Sequence, residues 1–248
     1  MKIDIYVTMY NEEFMVPYFL RHYETFANRI FVFYDKSTDK TRELLEHHPK
    51  VTVFDVERSG IDEGYWISKL WTKYEESSRG RADWVALVDT DEFLYHPNLI
   101  NVLTQEKEQG TQLIQPEGFI MISESPPTTK EQIYDEIKTG LPDFWATQCC
   151  LFDPDIYIRF RPGCHSIAHM QKEIKFKVGS ELGIKLLHYR WLGKEYAQKR
   201  DVKNFERYFI GGVVPTYKTD PKRQLPDRSR GRLLDWIESH KQKAINIV

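Results

Sequence analysis

The chain is short of cysteine, of charge imbalance and of long apolar runs, and each shortage removes a class of protein. Only three cysteines occur in 248 residues, Cys149, Cys150 and Cys164. Their number is odd and no C-x-x-C spacing pairs them, so neither a disulfide framework nor a zinc site follows, and buried reduced thiols are expected. Lys and Arg total 35 against 37 Asp and Glu, a net charge of −2. That balance gives no global attraction to nucleic acid or to an anionic membrane, so no nucleic-acid partner is expected. No apolar stretch approaches the roughly 18 residues of a spanning helix. Met1-Lys2-Ile3-Asp4-Ile5 enters a strand pattern at once, which leaves no room for a signal peptide. A cytoplasmic protein is expected, with peripheral membrane contact left open. G-x-G-x-x-G and G-x-x-x-x-G-K-[ST] are both missing, which disfavours the dinucleotide-binding and P-loop readings.

What is present begins with hydrophobic patterning. The apolar fraction is 41% and the aromatic fraction 14%, enough for a sizeable core. Strand patterns at Ile3 to Met9, Arg29 to Tyr34, Val51 to Val56 and Trp84 to Val88 alternate with helical stretches at Glu12 to Ala27, from Ser37 or Thr38 to about His48, and at Asp62 to Ser77. In the first of these helices Phe14, Tyr18, His22 and Phe26 recur every four residues on one face, and Pro17 fits within its first turns. Ser37 or Thr38 is suited to cap the second. This alternation predicts an α/β fold with a mostly parallel, doubly wound central sheet and helices on both faces. Further on, Leu113 to Ile122 holds strand material, Lys130 to Lys138 reads as helix, and Gln148 to Phe152 with Ile156 to Arg161 read as a strand pair around Asp153-Pro154-Asp155. A short strand at Ile184 to His188, a polar helix from Gly193 to Phe209, a basic loop from Tyr217 to Arg232 and a helix from Leu233 to Ala244 complete the pattern. No repeat or linker interrupts it. One domain is expected, with a nucleotide-binding half at 1–95, an acceptor and metal half at 96–215, and a basic loop and helix at 216–248.

Asp89-Thr90-Asp91-Glu92-Phe93 follows directly on Trp84-Val85-Ala86-Leu87-Val88. An unbroken β-branched run reads as a buried parallel strand, and ligands bind at the carboxyl ends of such strands. If the chain stays extended, Asp89 and Asp91 point the same way. Paired carboxylates repel unless a cation joins them, and hard cations such as Mg²⁺ or Mn²⁺ take such oxygens beside a substrate phosphate. An isolated D-x-D is equally compatible with a strand-end turn whose aspartates cap the next helix. Thr8-Met9-Tyr10-Asn11-Glu12 and Tyr34-Asp35-Lys36-Ser37 end the first two strands on the same rim. There Asp35 can accept bonds from a base or ribose and Tyr10 can stack on a base, while Asn11 and Ser37 can equally serve as helix caps. His188 ends a late strand and could complete the coordination begun by Asp91. Asp143 and Glu117 are candidates for the general base that an attacking hydroxyl requires. The basic residues between Lys218 and Arg232 could close over a diphosphate or simply form a solvated loop.

Four segments resemble GT-A-fold glycosyltransferases of the family-2-like kind, in the bacterial group linked to surface polysaccharide. They are Val7 to Glu13, Trp84 to Phe93, Phe152-Asp153-Pro154 with Arg161 to Ser166, and Leu186 to Arg190 with Leu192-Gly193 and Glu195-Tyr196. The resemblance implies a GT-A-type sheet, a nucleotide-sugar donor (most often a UDP-sugar), a glycan or lipid-linked acceptor, a divalent metal and inversion at the anomeric carbon. Carried over to this chain, Thr8, Tyr10, Asn11, Glu12, Asp35 and Lys69 belong to the nucleotide-sugar pocket. Asp89 serves ribose or metal, and Asp91 and His188 the metal; His165 has a match in the family segment, and with Asp91 and Asp143, the latter a base candidate from the residues alone, it makes up the expected catalytic set. Lys36 stands after Asp35 where many relatives have a second acid. The rival readings are a haloacid-dehalogenase-like phosphatase, whose first Asp would be a nucleophile, and a non-catalytic nucleotide-sugar-binding protein.

Overall fold

The computed structural model describes residues 1–56, 63–143, 146–148, 150–161, 166–200 and 236–248, with the side chains of 63–69 left out. The strands and helices of the first 90 residues arise where they are expected. β1 (Ile3–Met9), β2 (Arg29–Tyr34), β3 (Val51–Asp55) and β4 (Trp84–Asp89) alternate with α1 (Val16–Tyr23), α2 (Thr41–Glu46) and α3 (Glu63–Ser77). Trp84 to Val88 are all buried, as a run without polar alternation requires in a parallel strand covered on both faces. β3 alternates half-buried and exposed positions and forms one edge of the sheet.

The rest of the chain adds β5 (Glu92–Tyr95), α4 (Leu99–Glu108), β6 (Leu113–Gln115), β7 (Glu117–Ser123), α5 (Ile133–Glu136), β8 (Thr139–Pro142), β9 (Leu151–Phe152), β10 (Ile158–Phe160), β11 (Ile167–Met170), β12 (Phe176–Val178), α6 (Gly179–Leu182), β13 (Lys185–Leu192) and β14 (Ile245–Asn246). The main sheet has seven strands in the order β12-β6-β9-β4-β1-β2-β3. β1 pairs parallel with β2 and β4, β2 with β3, and β12 with β6. β9 alone runs antiparallel, between β4 and β6. The mostly parallel α/β sheet is therefore as expected.

The chain divides into two compact units. The first comprises Met1–Glu57, Glu63–Phe119 and Pro142–His188 and holds the whole main sheet. Its core gathers Ile3, Ile5, Phe19, Val32, Trp84, Ala86, Leu103, Ile114 and Phe152, all nearly or fully buried. The described residues of the second fall within Ile120–Leu141 and Tyr189–Val248. There β14 pairs antiparallel with β8, and Tyr189 donates its hydroxyl hydrogen to the carbonyl of Ile137. Among the described residues no helix is long and apolar enough to cross a membrane. Cys150 is a free, buried thiol; Cys149 and Cys164 lie outside the described residues.

Several boundaries differ from expectation. α1 is half the expected length, because Glu12 to Met15 and Thr25 to Ala27 form turns around it. Its aromatic face is nevertheless as read, with His22 edge-on to Phe26 at 5.3 Å and Phe14 beside Tyr18 at 5.7 Å. Neither Ser37 nor Thr38 caps α2, whose N-cap is Lys40 without a side-chain bond. The helix expected over Lys130 to Lys138 is one turn, α5, followed by β8. β9 and β10 do not pair with each other; β10 pairs with β11 instead. Of the polar helix expected from Gly193, residues 194–200 are helical as described, and the remainder, with the basic loop, lies outside the described residues. The terminal helix is described from residue 236 to His240 and gives way to a 3₁₀ turn at Lys241–Lys243.

His22 carries a consequence for pH. Burial pushes its pKa down to about 3, and the backbone bond to Leu94 opposes this only in part. The ring is therefore neutral and donates Nε2–H to the Leu94 carbonyl at 3.0 Å. Because the folded value lies below the unfolded one, near 6.5, stability is complete above that pH and falls as the pH drops from there toward 3. The loss approaches about 1.4 kcal/mol per pH unit. Urea unfolding at pH 7 and pH 5 should show it, and His22→Gln, which keeps a donor but cannot titrate, should flatten the difference.

Candidate functional site

Strand register builds the site. The parallel pairing of β1 with β4 sets Thr8 opposite Asp89, and that of β1 with β2 sets Met9 opposite Tyr34. One further bond, Asp35 N–H to the Met9 carbonyl at 3.0 Å, brings Asp35 level with Tyr10. Three strand ends therefore open on one rim of the sheet, the rim where parallel α/β sheets bind ligands.

The loops after β1 and β2 are laced together. Asn11 donates its N–H to Ser37 Oγ at 2.9 Å, and its own Oδ1 accepts the N–H of Thr38 at 2.7 Å. Glu12 N–H donates to Thr41 Oγ1 at 2.7 Å, and Glu13 N–H to Asp39 Oδ2 at 3.0 Å. Asn11 and Ser37, candidate helix caps in the sequence, thus cross-link two loops. Asn11 (φ 51°) and Lys36 (φ 30°) both lie in the left-handed region, where asparagine is tolerated and lysine is not favoured. Asp35 and Glu12 are buried at 1% and 8% exposure, Tyr10 is buried, and Thr8 is half-buried. Lys69 lies on α3, and its side chain is outside the described residues.

The D-x-D segment departs from the extended form. β4 stops at Asp89, Thr90 and Asp91 turn, and β5 starts at Glu92. The turn removes the alternation that would place both aspartates on one face. Asp89 is exposed whereas Asp91 is wholly buried. Thr90 Oγ1 donates to the Thr8 carbonyl at 3.3 Å, tying the turn to β1.

Asp91 and His188 are brought together across 97 positions of sequence. β13 pairs antiparallel with β5 so that His188 stands opposite Glu92. From there His188 Nε2 reaches Asp91 Oδ2 at 3.0 Å. Two carboxylates thus flank the imidazole, since Glu92 Oε1 lies 3.9 Å from Nδ1. Sequence reading passed over Glu92 and Gln148. Glu92 is fully buried, its Oε2 accepts the Asp89 N–H at 2.9 Å, and its Oε1 accepts Gln148 Nε2 at 2.6 Å. The available signal was an acid opening the otherwise apolar strand Glu92-Phe93-Leu94-Tyr95.

The other candidates are placed by other contacts. Asp143 is half-buried, and its backbone bonds join it to Gly118 and Ala146 rather than to the 89–92 turn. Glu117 is half-buried at the start of β7 and donates its N–H to the Ile184 carbonyl at 3.0 Å. His165 lies outside the described residues.

Among the described residues no group of three acidic, histidine or cysteine side chains is arranged to hold a metal ion. The chemistry of the pair still suits a hard cation, which takes one or two carboxylates plus substrate phosphates rather than an all-protein cage.

No family model matches the chain, and no curated protein matches it. Among solved structures it is similar to S. aureus TarS 1–349, at 14% identity and a TM-score of 0.47, over 96% of this chain and 78% of that one. The same TarS segment in complex with UDP-GlcNAc matches at 14% identity and a TM-score of 0.46, over 79% and 61% of the two chains. Glucosyl-3-phosphoglycerate synthase from Mycobacterium tuberculosis, in complex with Mn²⁺, UDP and phosphoglyceric acid, is 19% identical at a TM-score of 0.34. That match covers 46% of this chain, which spans 42% of the synthase chain.

Proposed function

We propose that the chain is a glycosyltransferase that moves a sugar from a nucleotide-sugar donor, a UDP-sugar, to an acceptor hydroxyl on a glycan or lipid-linked glycan. The observation that carries this reading is the Asp91–His188 pair, held at 3.0 Å behind an exposed Asp89 on the ligand-binding rim of a parallel sheet. The order of the four sequence segments that resemble family-2-like enzymes supports it. The geometry also weighs against the phosphatase rival, because Asp89, the would-be nucleophile, ends the fourth strand rather than the first.

Each group then has a task. Tyr10, Asn11, Glu12 and Asp35, with Thr8, form the nucleoside end, whose shape the laced loops fix, and Lys69 is assigned to the same pocket by the sequence resemblance. Exposed Asp89 faces the ribose or the diphosphate. Asp91 and His188 are the groups that would hold Mg²⁺ or Mn²⁺. When bound, that cation neutralises charge on the departing nucleoside diphosphate. The acceptor oxygen bonds to the anomeric carbon from the face opposite the diphosphate, so the centre inverts. The C–O bond to the phosphate breaks with its electron pair on that oxygen, and the acceptor proton passes to a carboxylate, assigned here to Asp143, with His165 as the alternative base.

A thermal-shift panel of nucleotide sugars with and without Mn²⁺ tests the reading. A ligand at about 100 times its Kd adds roughly 2.7 kcal/mol of stability. A UDP-sugar should raise Tm more with Mn²⁺ than without. No shift with any nucleotide sugar would sink the proposal.

A further inference from the structure

The buried carboxylate of Glu92 has no task in the reaction as set out, yet it meets the Asp89 end of the turn, Gln148 and the His188 ring. Burying a carboxylate is costly unless hydrogen bonds and neighbouring charge compensate it. An apolar residue would fill the same space without that cost, as Phe93 and Leu94 do on the same strand. The three groups around Glu92 show what the charge is used for. Oε2 accepts the N–H of Asp89 and so closes the turn that sends Asp89 outward and Asp91 inward. Oε1 accepts Gln148 Nε2 at 2.6 Å, which fixes the carboxylate from the loop before β9. The same oxygen lies 3.9 Å from His188 Nδ1, on the side of the ring away from the Asp91 contact. Cross-strand register places Glu92 directly opposite His188, so the arrangement is built into the sheet rather than into a loop. Its main-chain carbonyl accepts the Tyr23 hydroxyl at 2.8 Å, anchoring the residue to α1.

We propose that Glu92 is a positioning residue that holds the Asp89–Asp91 turn with one oxygen and, with the other, steadied by Gln148, places its charge 3.9 Å from the His188 ring. It touches neither donor nor acceptor and acts through Asp89, Asp91 and His188. Carboxylates of this kind, behind a ligating histidine, govern metal affinity. The inference rests on the glycosyl-transfer reading above.

The test is calorimetric binding of UDP to the full chain, with and without Mn²⁺. Glu92→Gln keeps the shape of the side chain and removes its charge. It should bind UDP without Mn²⁺ with little loss, since the nucleoside contacts come from the loops after β1 and β2 and only that of Asp89 from the turn that Glu92 holds. The Mn²⁺-dependent gain in UDP affinity should fall about 10- to 100-fold. In a His188→Ala background the same substitution should reduce that gain by a smaller factor than in the wild type, because part of its effect runs through His188. Wild-type Mn²⁺ dependence in Glu92→Gln, or two losses that simply multiply, overturns the role. If Glu92→Gln does not fold, Gln148→Met, which removes only the donor to Oε1, should lower the Mn²⁺-dependent gain in the same direction; an unchanged gain overturns the role. A wild type that binds no UDP at all overturns the glycosyl-transfer reading itself, an outcome distinct from either of these.

Discussion

Asp91→Asn should abolish the proposed sugar transfer while leaving the fold intact. The substitution is isosteric and Asp91 is wholly buried, so no cavity opens and the packing around it is kept. What would disappear is the negative charge beside His188, and with it the proposed anchor for a cation at the departing diphosphate. A Lewis-acid contribution of several kcal/mol, at 1.36 kcal/mol per tenfold, corresponds to a fall in kcat of about 10³-fold or more. Turnover of a UDP-sugar with Mn²⁺, beside circular dichroism of the same preparation, decides the matter. Asp89→Asn should cost less, since its side chain is exposed. A variant at position 91 that keeps full metal-dependent turnover would remove Asp91 from the site.

Arg29→Met should destabilise the protein by about 3 kcal/mol without touching the site. Asp4 is fully buried at the opposite end of β1, where it accepts Arg29 Nε at 3.1 Å, Arg29 Nη2 at 2.5 Å, Asn28 Nδ2 at 3.1 Å and Ser78 Oγ at 2.6 Å. The bond to Asp4 holds the Arg29 pKa above its usual range. Removing the arginine strands a carboxylate in the core. Removing Asp4 instead leaves a guanidinium whose side chain is 34% exposed and can turn to water. Arg29→Met should therefore be the worse of the two. At about 2–4 °C per kcal/mol for a chain of this size, its Tm falls by about 6–12 °C. Equal losses from Arg29→Met and Asp4→Ala would contradict the argument.

The first half of the fold was legible because its signals are long. Trp84 to Val88 has no polar interruption, and the period of four from Phe14 to Phe26 is sustained over three intervals. The later strands were legible only in part: β9 and β10 fall within stretches read as strands but were expected to pair with each other, and β12, of three residues, was not read. No periodicity can be read over such lengths, and their pairing is decided by partners far away in sequence. The site divides in the same way. The rim position of Thr8, Asp35 and Asp89 followed from strand order alone. The opposite exposures of Asp89 and Asp91 did not, because a two-residue turn at Thr90-Asp91 cancels the alternation of a strand. Glu92 was passed over for a third reason. An acid in an apolar strand marks it locally, but its role depends on the register of β5 against β13, a non-local choice.

That two-residue β9 also joins the two parts of the main sheet. β1 to β4 lie within the first 89 residues and pair parallel side by side. β6 and β12 meet them across β9, whose Leu151 and Phe152 pair with Ala86 and Val85 on one side and with Ile114 and Leu113 on the other. The main chain just outside it extends the join, since Cys150 accepts the Leu87 N–H and Asp153 donates its N–H to the Gln112 carbonyl. More than 60 residues separate β4 from β9, and such non-local pairing is the slow element of sheet formation. The continuity of a seven-stranded sheet thus rests on a strand of two residues.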